Sequence, residues 1–84
     1  MRSLSELVQI VLTDLESGKP FGNVDNLIKI LHKNGRINRA EMEFLRDKIT
    51  SSNHAKFILY EDVMMTYKRD LVTKSLHSLL SQNP

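Results

Sequence analysis

The stretch Ser3-Leu4-Ser5-Glu6-Leu7-Val8-Gln9-Ile10-Val11-Leu12-Thr13-Asp14-Leu15-Glu16-Ser17-Gly18-Lys19-Pro20 spells out a helix together with both of its ends. Leu4, Leu7, Val8, Val11, Leu12 and Leu15 recur at three- and four-residue intervals, so they share one stripe of an α-helix. Ser3 and Glu6 form a capping-box pair: the serine oxygen accepts the third helical amide, and the carboxylate returns to the cap amide. Gly18 supplies a left-handed stop, and Pro20 prevents the helix from resuming. The outer face, with Ser5, Gln9, Thr13 and Glu16, is polar and mildly acidic, which argues against docking on an anionic membrane.

The same grammar repeats downstream. Phe21, in the joint Gly18–Gly22, is expected to plug the core. A second helix starts after Asn23, turns Val24, Leu27, Ile28 and Leu31 inward, and stops near Asn34–Gly35. Asn38 caps a third helix, Glu41 closes its box, and Ile37 with Met42 are spaced as a hydrophobic staple. Its inward positions are Met42, Leu45 and Ile49, with Phe44 on the flank, and it ends around Thr50–Asn53. From Ala55 to Leu80 no glycine or proline intervenes, which predicts mostly helix, as one long helix or as two. Phe57–Tyr60 would suit a short strand, but no second strand is evident to pair with it. Ser81–Pro84 are expected to fray. The predicted fold is all-α: one small compact bundle of four to five helices spanning residues 1–84, the C-terminal helix longest.

Composition narrows the function. With 84 residues the chain buries only ~60–65% of its unfolded surface, so a partner would add usefully to a small core. Hydrophobic residues at 40% and charged residues at 26% fit a soluble globular domain, not a disordered tail. The absence of cysteine excludes disulfides, thiol catalysis and cysteine-ligated zinc. The longest apolar run, Phe57–Tyr60, is far short of the ~18–20 residues that span a bilayer. Glu6 interrupts the first apolar stretch and no basic leader precedes it, so no secretory signal is read. No membrane insertion is expected, and the lack of cysteine allows a reducing compartment.

Motifs that would carry chemistry fail one by one. Asn34–Glu41 resembles the second half of a calcium loop. Ile30 and His32 stand where its first carboxylates belong, however, and Arg36 adds positive charge. His32, His54 and His77 are too far apart for a local metal motif. Glu61 and Asp62 diverge by ~100° on a helix and cannot flank one substrate atom. Gly18–Gly22 follows a helix and lacks the partners of a phosphate loop. No catalytic residue, metal site or cofactor is expected, and the chain reads as a non-enzyme.

Two binding readings remain. The formal charge is +2, yet residues 19–40 hold Lys19, Lys29, Lys33, Arg36 and Arg39 against Asp25 alone. That basic block would suit a small nucleic-acid-binding domain using the 29–39 region, with the third helix as the reading helix. Its first turn, however, carries Glu41 and Glu43 behind Arg39, and those carboxylates would repel phosphate. The other reading comes from the C-terminal segment. Projected at ~100° per residue, it shows two apolar strips: Phe57, Tyr60, Met64, Tyr67 and Leu71, and Ile58, Met65, Val72, Leu76 and Leu79. Glu61, Lys68 and Ser75 lie between them. A surface helix needs one stripe. Either this helix is central and wrapped by the first three, or the Tyr60–Met64–Tyr67–Leu71 strip is free for another protein or for a second copy as a homodimer. Arg36 and Arg39 would then orient the encounter.

The segment Phe21-Gly22-Asn23-Val24-Asp25-Asn26-Leu27-Ile28-Lys29-Ile30-Leu31, together with the overall length, is similar to the lysis-inhibition accessory proteins of T-even bacteriophages. The resemblance implies an antiholin in the host cytoplasm, a regulatory protein that binds the cytoplasmic part of the phage holin and delays lysis. It carries no motif from which binding residues could be transferred.

Overall fold

The ends of the first three helices form as their caps dictate. In the computed structural model, which describes residues 1–82, α1 (Leu4–Glu16) starts where Ser3 Oγ accepts the Glu6 amide and Glu6 Oε1 accepts the Ser3 amide. Asn23 caps α2 (Val24–Lys33) by accepting the Asn26 amide at 2.9 Å. The end of α2 is a Schellman turn: Arg36 N–H donates to Leu31 O and Gly35 N–H to His32 O, with Gly35 at a φ of +74°. Asn38 and Glu41 close the box at the start of α3 (Arg39–Thr50).

Beyond α3 the chain makes a short α4 (Ala55–Tyr60), leaves helical geometry at Glu61, and resumes as α5 (Thr66–Gln82). Phe57–Tyr60 is therefore helical, and α5 with 17 residues is the longest element. Among the described residues there is no strand. Ser81 and Gln82 complete α5, whereas Asn83 and Pro84, where fraying is predicted, lie outside the described residues.

The apolar stripes converge on one core. α1 packs on α2, α3 and α5, and α4 packs on the same three elements. Leu7, Val8, Val11, Leu27, Ile28, Leu45 and Ile49 are essentially sealed, and Phe21, Met42, Phe44 and Phe57 lean on them from the rim. The Cα radius of gyration, 11.5 Å, is close to the ~12 Å expected of a chain this long.

A central, wrapped C-terminal helix does not occur. α5 lies at the edge, chiefly against α1 and α4, and buries one stripe, Val72, Leu76 and Leu79. Met65, which helical projection aligns with that stripe, is exposed because it precedes α5 and lies outside helical register.

Two carboxylates are buried, each with a cation. Glu41 accepts Arg2 Nε at 2.9 Å, Arg2 Nη2 at 3.0 Å, the Arg2 amide at 3.0 Å and the Asn38 amide at 3.0 Å. Asp25 is shared by Arg46 at 2.9 Å and Lys29 at 3.0 Å. No buried side-chain polar atom among the described residues lacks a partner.

Candidate partner-binding surface

The α4–α5 joint is built around one inward residue. Val63 is buried, and its amide donates to Gly22 O at 2.8 Å, tying the joint to the α1–α2 loop. Asp62 Oδ1 accepts the Met64 amide at 2.9 Å, an Asx turn that competes with helix continuation. The Gly22 bond and the buried valine together compensate for the helical hydrogen bonds forgone at Glu61–Met65.

Anchoring Val63 leaves its neighbours outside. Tyr60 closes α4 at 56% exposure, Met64 and Met65 follow at 68% and 58%, and Tyr67 and Leu71, one turn apart on α5, stand at 58% and 44%. Five large apolar side chains within twelve residues are thus open to water. Glu61 and Lys68 bracket the joint with a 2.9 Å ion pair, and that carboxylate raises the Lys68 pKa above its ordinary value. Met64 also borders a shallow cleft of about 110 Å³, lined by residues of the Gly18–Gly22 loop, Val63 and Arg69.

Of the residues singled out in the sequence, Tyr60, Met64, Tyr67 and Leu71 are all exposed between the end of α4 and the second turn of α5, but not as a strip of one helix. Phe57, at the head of the same projected strip, instead packs partly against the core. Met65 joins the exposed set although its spacing assigns it to the other strip. Asp62, a residue type that favours Asx turns over helix interiors, is the sequence signal of the break.

Among the described residues, Arg36 and Arg39 make no ion pair with this surface. Arg36 Nη1 is bound to Asp14 at 2.6 Å, its carbonyl accepts Arg2 Nη2, and Arg39 pairs with Glu43 at 3.1 Å within α3. Lys29 is held by Asp25. Within 29–39, Lys33 alone has no carboxylate partner among the described residues. The expected repulsion of phosphate by Glu41 also changes: this carboxylate is covered by Arg2, whose hydrogen bonds, with the Asn38 amide, lower its pKa from 4.5 to about 2. Only Glu43 stays on the surface, and it is neutralised by Arg39. Glu41 is likewise committed to Arg2 and its own cap, so the loop that partly resembles a calcium site has its terminal carboxylate engaged.

No three histidine or carboxylate side chains among the described residues converge as a metal-binding group. No described helix is long and apolar enough to cross a membrane. The chain matches no family model, and no curated protein or solved structure matches it.

Proposed function

We propose that this chain is a non-catalytic regulatory protein that acts by binding another protein through the Tyr60–Leu71 surface. The observation that supports it is the simultaneous exposure of Tyr60, Met64, Met65, Tyr67 and Leu71. Soluble monomers seldom expose apolar groups so densely, and tyrosine and methionine are enriched where proteins meet. On the resemblance to phage lysis-inhibition accessory proteins, the partner is the cytoplasmic part of a holin and the outcome is delayed host lysis. Nucleic-acid binding through 29–39 is the weaker reading, because three of its four cations are already engaged by carboxylates of the same chain.

The test is Met64→Asp, measured by calorimetry against a soluble holin cytoplasmic segment. A charge in the middle of the surface should weaken binding by about 2 kcal/mol or more, while far-ultraviolet circular dichroism stays that of the native chain. Parallel loss of helicity and binding would show that Met64 serves the core. Binding to duplex DNA at low salt, falling steeply as salt is added, would favour the nucleic-acid reading.

A further inference from the structure

We propose that, in the absence of another partner, the Tyr60–Leu71 surface is occupied by a second copy of the same chain in a two-fold homodimer, which a heterologous partner must displace. This rests on reading that surface as a docking site. Area is the first argument. At roughly 200 Å² per large side chain, the fractional exposures of these five residues leave about 550 Å² of mostly apolar surface on each copy. Two copies would bury roughly 1,100 Å², just above the ~1,000 Å² that marks a specific interface and within the range of weak, exchangeable ones.

Charge is the second argument. A two-fold interface brings every charge against its own neighbourhood, so a strongly charged rim repels itself. Between residues 61 and 74 there are three acidic residues, Glu61, Asp62 and Asp70, and three basic ones, Lys68, Arg69 and Lys74. Glu61 and Lys68 already neutralise each other within one copy. The surface is electrically balanced, which favours meeting itself over meeting a highly charged partner. By contrast, the exposed Ile30 lies in the basic 19–40 block, where self-contact would set like charges together.

Sedimentation of the full chain over a micromolar concentration series tests the proposal. The mass should rise from 9.7 kDa toward about twice that value. Each substitution enters a two-fold interface twice, so Met64→Asp and Leu71→Lys should each raise the dissociation constant at least about 30-fold. Ile30→Asp should leave it unchanged, and added salt should change it little. A chain that stays monomeric throughout, or a dimer indifferent to both Met64→Asp and Leu71→Lys, overturns the proposal. A monomer that still binds the holin segment through Met64 removes the second copy and keeps the docking surface. A monomer that binds no such segment removes both.

Discussion

Replacing Leu76 and Leu71 separately by alanine probes the placement of α5, on which the exposed surface depends. Leu76 is fully buried, whereas Leu71 is 44% exposed. Truncating a sealed leucine loses its transfer free energy and leaves a cavity, at a cost of about 2–5 kcal/mol. At Leu71 no enclosed cavity remains, and only the covered part of the side chain loses its environment, so about 1 kcal/mol is expected. A chain of 84 residues has a total stability near 4–13 kcal/mol, so Leu76→Ala removes a large share and Leu71→Ala a small one. Urea denaturation followed by circular dichroism at 222 nm, at the lowest workable concentration to suppress self-association, measures both midpoints with an unchanged slope. Equal losses at the two positions would mean that α5 is covered on both faces and offers no free face for docking.

Glu41 should make folding acid-sensitive. Its pKa is lowered in the folded chain, so the unfolded state binds the proton more readily. The stabilisation is complete above the ordinary value of 4.5 and is lost as pH falls through that value toward about 2. A denaturation series across this window should show the slope, and Glu41→Gln should flatten it. Gly35→Ala should destabilise the chain by about 1 kcal/mol, because a Cβ there meets no neighbour within 4 Å but the φ of +74° is strained for an L side chain; thermal unfolding reads the loss directly.

The first three helices were legible residue by residue. Ser3 with Glu6 and Asn38 with Glu41 act across three positions, and Gly18 and Gly35 act on their own backbone, so each boundary is a local decision that needs no tertiary partner. The inward stripes follow for the same reason, since helical spacing alone gathers Leu7, Val8, Val11 and Leu12. The C-terminal third was legible only as helical and over-supplied with apolar side chains. Two of its features depend on residues distant in sequence. Gly22 O accepts the Val63 amide, which draws one valine inward, divides the segment into α4 and α5, and turns Met64 and Met65 outward. Arg2 reaches Glu41 across thirty-nine positions, turning a carboxylate that reads as surface charge into a buried tether. For the first three helices, sequence by itself determined where each starts, stops and faces inward, because capping and periodicity act within a few residues. Which apolar residues are left uncovered was decided by tertiary packing, because a bundle this small has too few elements to cover both faces of its last helix.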